Sequence, residues 1–243
     1  MATRRSFWEY VSLKINHIRL RLGSFGEKWD AISRLMESKI TDEGLDLLEK
    51  YSHDRNEDIR YRVAEALALT DSPKAESILL RLLDDKDNMV RVNACDSLGM
   101  SGTQRAIEPL KKHVGSTDCN LERGYAVSSL ADIAVAVGTE GEVTAFLEAS
   151  LETEQDVWIR NHYYRSLYLL GKGEYLQLLL GSLDDENYQN RCEVVNLLSD
   201  IADDSNVETI CVALKERLSK EEPDSIAVIT TIEKTLNLLG SPE

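Results

Sequence analysis

Reaction chemistry in a chain of 243 residues would start from His, Cys, Ser or carboxylate groups that the fold can bring together. The four histidines, His17, His53, His113 and His162, are scattered, and no HExxH pair is present to hold zinc on one helix face. The four cysteines, Cys95, Cys119, Cys192 and Cys211, form no CxxC pair. They read as free thiols in a reducing compartment, which predicts a cytoplasmic protein. Cys192 and Cys211 could approach across one helix pair, but two half-buried thiols are the simpler account. The segment "GKGEY" (171–175) lacks the leading Gly spacing and the Ser/Thr of a phosphate loop, so its glycines read as helix punctuation. No catalytic, metal or cofactor residue is assigned on this basis, and the chain is expected not to be an enzyme.

The informative residues are arginines. From Arg91, one step of 31 residues back reaches Arg60, and steps of 32, 37 and 31 forward reach Arg123, Arg160 and Arg191. A leucine stands seven residues after each: Leu67, Leu98, Leu130, Leu167 and Leu198. Apolar residues recur at +19 and +23: Leu79 and Leu83, Leu110 and Val114, Leu179 and Leu183, Ile210 and Leu214. In the fourth repeat Leu147 and Leu151 take these places after a five-residue insertion. Self-similarity at such a period marks a stacked-repeat protein. Six residues before the arginine stands Asp54, Asp85, Glu154 or Asp185, with Thr117 as the exception. This residue is expected to cap the following helix. The arginine is expected to reach a carboxylate of its own or a neighbouring repeat and hold the register.

Each unit reads as two helices, because apolar residues spaced by three and four place one stripe on each. "RVNACDSLGMS" and "QRAIEPLKKHV" form one such pair, and "MSGT", "TDSP", "LGKG" and "DDSN" break the helices. Neither helix buries its stripe alone, whereas stacked pairs share a continuous core. The expected fold is all-α: an α-solenoid of about six to seven stacked antiparallel helix pairs with an N-terminal capping helix. It is read as a single domain over residues 1–243, with a cap at 1–28, repeats over 29–219 and a C-terminal cap at 220–243. The cap helix over 5–22 would carry the stripe Phe7, Val11, Ile15, Ile18 and Leu22.

The repeats "DDKDNMVRVNACDSLGMSGTQRAIEPLKKHV" (84–114) and "DIRYRVAEALALTDSPKAESILLRLLDD" (58–85) resemble the HEAT-repeat family, in the short HEAT-like form found in phycobilin lyase subunits and many bacterial proteins. The resemblance covers 54–219 well and 29–240 loosely. Ankyrin and tetratricopeptide signatures are absent. The His-Glu pairs of the HEAT-like di-iron hydroxylases are also missing, as is the basic concave face of the HEAT-like DNA glycosylases.

The resemblance implies that the second helix of each pair lines a concave binding face. Positions at +17 to +24 then nominate Arg81, Lys111, Lys112, Glu148, Glu152, Gln177 and Glu208 as partner contacts. The aromatic-rich run "VWIRNHYYRSLYLL" (157–170) adds Tyr163 and Tyr168, since aromatic side chains enrich binding hot spots. The insertion "VAVGTEGE" (135–142) is expected to be an irregular loop able to carry function.

A net charge of −15 disfavours nucleic acid, whose phosphates need a positive counter-surface. It favours a basic protein partner. Residues 1–22 hold five basic residues against Glu9, a net of +4 that leaves −19 for the rest, so a membrane-surface role for this segment is a minor alternative to capping. The reading is a non-enzymatic protein-binding scaffold with an acidic and mixed concave face, most concretely an inhibitor or immunity protein that neutralises a basic toxin. The alternatives are a general adaptor subunit of a larger complex, and an enzyme accessory of the bilin-lyase type.

Overall fold

A computed structural model describes residues 24–240, and the expected cap helix over 5–22 lies outside them. The described residues form thirteen α-helices and no strand. Their contacts cluster into two units, divided after Val137.

The first unit holds α1 (Phe25–Met36), α2 (Asp42–Tyr51), α3 (Glu57–Leu67), α4 (Pro73–Leu82), α5 (Asn88–Ser101), α6 (Ile107–Ser116) and α7 (Asn120–Val137). Helices α1, α3, α5 and α7 pack side by side in that order, and α2, α4 and α6 form the second layer. The second unit holds α8 (Glu140–Leu151), α9 (Val157–Leu169), α10 (Tyr175–Gly181), α11 (Tyr188–Asp200), α12 (Val207–Lys220) and α13 (Ile226–Leu238). There α9, α11 and α13 form the first layer, with α10 packed on α9 and α12 on α13.

The repeat leucines explain this stacking. Leu67, Leu98, Leu130, Leu167 and Leu198 are completely buried, and every apolar residue at +19 and +23 is buried with them. Each such side chain taken from water is worth about 1.5–3 kcal/mol. Successive first-layer helices are also stitched by hydroxyls. Ser97 Oγ donates to the Ala64 carbonyl at 3.0 Å, and Ser129 Oγ donates to the Cys95 carbonyl at 2.8 Å.

The repeated arginine does what its period suggests. Each one donates to the backbone carbonyl six residues before it. The bonds are Arg60 to Asp54 at 2.9 Å, Arg91 to Asp85 at 2.9 Å, Arg123 to Thr117 at 3.0 Å, Arg160 to Glu154 at 2.9 Å and Arg191 to Asp185 at 2.8 Å. In Arg60, Arg91 and Arg191 the guanidinium also reaches forward to a carboxylate of the next repeat. Arg60 grips Asp85 with two bonds of 2.7 Å, Arg91 reaches Glu122 at 2.9 Å, and Arg191 grips Glu221 at 2.7 and 3.0 Å. Trp29 stands where the first arginine would be, and its neighbour Lys28 takes over by pairing with Asp54 at 2.9 Å. Arg160 breaks the series by bonding the Tyr164 hydroxyl on its own helix.

The residue at −6 is not the helix cap that the sequence suggests. The side chains of Asp54, Asp85, Thr117, Glu154 and Asp185 accept from the backbone N–H two residues ahead, closing a turn. The caps stand two residues later, where Asn56, Asp87, Asp156 and Asn187 accept from the first helical N–H groups. The closed turn leaves the carbonyl at −6 facing the arginine.

The insertion is not a loop either. It extends α7 to eighteen residues, ended by Gly138 in the left-handed region at φ +72°, and α8 starts at Glu140. Helix continues because "ADIAVAV" offers no breaker before that glycine.

Candidate functional site

A cluster of titratable groups lies between α5, α6 and α7. Glu122 is buried and accepts from Arg91 Nε and Thr117 Oγ1, both at 2.9 Å, and pairs with His113 Nδ1 at 2.6 Å. Burial pushes the Glu122 carboxyl up, but the bonds from His113, Thr117 and Arg91 outweigh it and hold the group below the usual range. A carboxylate held in three such bonds, one of them from an arginine, is a weak base, so its chemistry is that of a clamp. Sequence reasoning missed Glu122. The signal was Thr117, which lacks the acid of its repeat equivalents and leaves Arg91 needing another partner.

Cys95 is buried, and burial drives its thiol far above the ordinary range, away from reactivity. All four cysteines are free, with Cys211 buried and Cys192 half-buried. Among the described residues no group of three or more His, Cys, Asp or Glu could hold a metal ion, and no helix is long and apolar enough to cross a membrane.

The second-layer residues nominated from sequence are mostly engaged within the protein. Arg81 donates to Ser52 Oγ at 2.7 Å. Lys111 pairs with Glu108 at 2.9 Å, Lys112 stands 4.0 Å from Asp84, and Glu148 pairs with Lys172 at 2.7 Å. Lys74 bridges Asp46 and Glu49, Arg105 reaches Glu76 at 2.9 Å, and Arg217 reaches Asp184 at 3.0 Å. Lys111–Glu108 lies within α6, whereas the Lys74, Arg105 and Arg217 pairs join neighbouring repeats, so much of that layer's charge is neutralised internally. Glu152, Gln177 and Glu208 are exposed.

Tyr163 is a correction. It is 1% exposed and belongs to the core, because the α9 face that carries Ile159 and Leu167 turns it inward. Tyr168 is half-buried, and its hydroxyl accepts from Asn206 Nδ2 at 2.9 Å, which fixes the turn before α12. Trp158 packs on His162 at 4.1 Å between ring centroids, and Tyr164 packs on Tyr175 at 6.0 Å.

The surface that sequence reasoning left unassigned is on the first layer of the first unit. A groove of about 330 Å³ runs over α3 and α5, touching the end of α1 and the start of α7. Leu69, Met89, Met100 and Leu121 line it at 50%, 43%, 67% and 43% exposure. Met36, Val92 and Ala68 extend the apolar surface. Glu65 and Asp96 are its charged members among the described residues. Tyr61 lines it too; burial raises its phenol above the ordinary value, and the charge and hydrogen bond of Glu65 add to this, with the charge of Asp96 contributing. The groove follows from the repeat. Met89 and Leu121 stand at −2 from their arginines, Glu65 and Asp96 at +5, and Leu69 and Met100 at +9. Those positions form the stripe of each first-layer helix that faces away from the buried leucines.

Comparison with known proteins supports the architecture. Residues 45–131 match the family model described as HEAT repeats. No curated protein matches the sequence. Among solved structures, a chain from the complex of CpcE and CpcF of phycocyanin lyase from Nostoc sp. PCC7120 is similar at 19% identity, over 92% of this chain and 94% of that one, with a TM-score of 0.63. Human deoxyhypusine hydroxylase is similar at 15% identity, over 98% and 100% of the two chains, with a TM-score of 0.48. A designed armadillo repeat protein is similar at 18% identity, over 93% and 99%, with a TM-score of 0.39. The first of these establishes the α-solenoid fold and nothing finer.

Proposed function

We propose that this chain, a solenoid of HEAT-like helix pairs, is a non-enzymatic scaffold that binds a protein partner. The observation that carries the reading is the groove over α3 and α5. Single exposed apolar side chains are ordinary, but Leu69, Met89, Met100 and Leu121 are grouped around one cavity, and such grouping marks an interaction surface. A chain of the same fold sits in a complex of two proteins in the CpcE–CpcF structure, which is consistent with that use of the fold. The net charge of −15 supports a basic partner. The most concrete form of the reading is an inhibitor or immunity protein that covers a basic toxin, and an adaptor subunit is the broader form. The four unbonded cysteines support action in the reducing cytoplasm.

The test is capture of the partner under native conditions, eluted with a salt gradient and identified by mass spectrometry. One stoichiometric basic protein, eluted by salt and lost with Leu69→Asp plus Met100→Asp, is the expected result. Loss with Glu148→Lys plus Glu152→Lys, and not with the groove variant, would move the site to the second layer. Several partners insensitive to salt would remove the inhibitor form and keep the adaptor. No partner at all would sink the reading.

A further inference from the structure

We propose that the second unit holds a site for a small phosphomonoester, in the pocket between α11 and α13. The pocket has a volume of about 440 Å³ and is lined by Asn196, Ser199 and Asp200 of α11 and by Thr230, Lys234 and Thr235 of α13. Its polar groups are left without partners. A hydroxyl on a helix commonly bonds the carbonyl four residues back. Ser116, Ser150, Ser182 and Thr231 do so here at 2.8, 2.8, 3.2 and 2.8 Å. The hydroxyls of Ser199, Thr230 and Thr235 form no hydrogen bond among the described residues, nor does the Asn196 amide, and Lys234 has no ion-pair partner among them. Thr235 is the telling member. It is 4% exposed, and a hydroxyl buried that far is costly when unpaired. It lines the pocket, so a ligand seated there supplies the missing bond.

The lining selects the ligand by its chemistry. Asp200 is held by Arg165 at 2.6 Å, and that pair is neutral, so Lys234 leaves the pocket one unmatched positive charge in a chain of net −15. A metal ion would need more carboxylates than Asp200. An apolar guest would find Leu238 as its one large apolar contact. A polynucleotide would need a run of cations. An ammonium, an amide and three hydroxyls together offer more donors than the two oxygens of a carboxylate accept, whereas a phosphate monoester brings three strong acceptor oxygens. Lys234, Thr230 and Thr235 form the α13 wall for the phosphate, with the lysine as its point charge. Asn196, Ser199 and Asp200 offer donors and an acceptor to hydroxyls on the attached carbon skeleton. The site is particular to this unit. The repeat positions of Ser199 and Asp200 hold Ala68 and Leu69 on α3, and Gly99 and Met100 on α5.

The experiment is an amide NMR titration of the full chain, at constant ionic strength, with glycerol phosphate, inorganic phosphate and glycerol as separate probes. Glycerol phosphate is expected to give saturable shifts centred on the lining residues of α11 and α13, and to bind at least about tenfold more tightly than either other probe. Lys234→Gln is expected to weaken it about tenfold or more. Thr235→Val, which keeps the shape and removes the hydroxyl, is expected to weaken it about threefold or more with unchanged helical circular dichroism. Lys234 is exposed, so its variant tests the site whether or not the buried Thr235 tolerates substitution. The control Lys39→Gln makes the same charge change on an exposed lysine of the first unit and is expected to leave binding unaltered. Absence of saturable shifts, or shifts centred elsewhere, would overturn the proposal. So would inorganic phosphate or glycerol binding as tightly as glycerol phosphate, since the site would then take a bare anion or a neutral polyol. Equal weakening by Lys39→Gln and Lys234→Gln would overturn it as well. Leu69→Asp plus Met100→Asp is expected to leave this binding unaltered, so the site stands or falls independently of the scaffold reading.

Discussion

At the scale of single residues, the arginine series shows how one side chain can set a repeat's register. Arg60 spends one nitrogen on the carbonyl of the turn before it and two on Asp85 of the next repeat. Removing it leaves the half-buried Asp85 carboxylate with no cation and only the Asp87 N–H, and frees the Asp54 carbonyl. Arg60→Met should therefore cost about 3–5 kcal/mol in urea unfolding, while the exposed pair broken by Lys112→Met should cost under about 1 kcal/mol. Acid should act through the same clamps. Burial raises Glu122 and Glu221, but their arginine and neighbouring bonds more than offset it and hold both below the ordinary 4.5. Asp85 is held below 3.8 in the same way by Arg60 and the Asp87 N–H. A group whose folded pKa is depressed stabilises the fold above its unfolded pKa and loses that contribution as pH falls through the folded one. Thermal midpoints should therefore be level above about pH 5 and drop as pH falls below about 4.5, and Glu122→Gln should flatten part of that drop. These residues differ in how legible they were. Arg60 and Asp85 stand out because they recur at fixed spacing. Glu122 and Glu221 do not, since each serves from an irregular place, one inside a helix and one in the loop "SKEEPDS".

At the scale of elements, the first-layer helices meet at close range where small residues allow it. A Cβ added at Gly99 of α5 would meet Ser129 Oγ of α7 at 2.8 Å and its Cα at 3.2 Å. The backbone part of that contact cannot rotate away. Gly99→Ala should therefore destabilise by about 1–3 kcal/mol, although alanine is the better helix former, and denaturant unfolding would show the sign. The repeat pattern located these helices because their apolar stripes recur with helical spacing. It misjudged the insertion, since "VAVGTEGE" reads equally as a turn or as one more helical turn ended by glycine. Which one forms depends on whether the added turn finds a surface to lie on, and no local propensity contains that information.

At the scale of the whole molecule, stability should be distributed along the chain, since each repeat packs mainly on its neighbours in sequence. Leu98→Ala in the first unit and Leu198→Ala in the second should each cost about 2–5 kcal/mol, because both leucines are completely buried. Hydrogen exchange should quicken most in the unit that carries the substitution, and uniform acceleration over both units would contradict a nearest-neighbour arrangement. The acidic surface has its own signature: capture of a basic partner should weaken steadily with salt, whereas apolar anchoring in the groove should not.

The amino-acid sequence alone determined the helix pairs, their repeat phase, the buried leucines and the arginine that holds the register. Those features are periodic, and each depends only on residues within one or two repeats. The tertiary structure decided which leftover side chains share a surface. Leu69, Met89, Met100 and Leu121 lie up to 52 positions apart and become one groove only when α3, α5 and α7 stand side by side. It also decided that Tyr163 faces the core and that charges on α2, α4 and α6 cancel one another. Packing selects one face of each helix and sets how neighbouring helices align, and neither choice is written in the spacing of residues along a single helix.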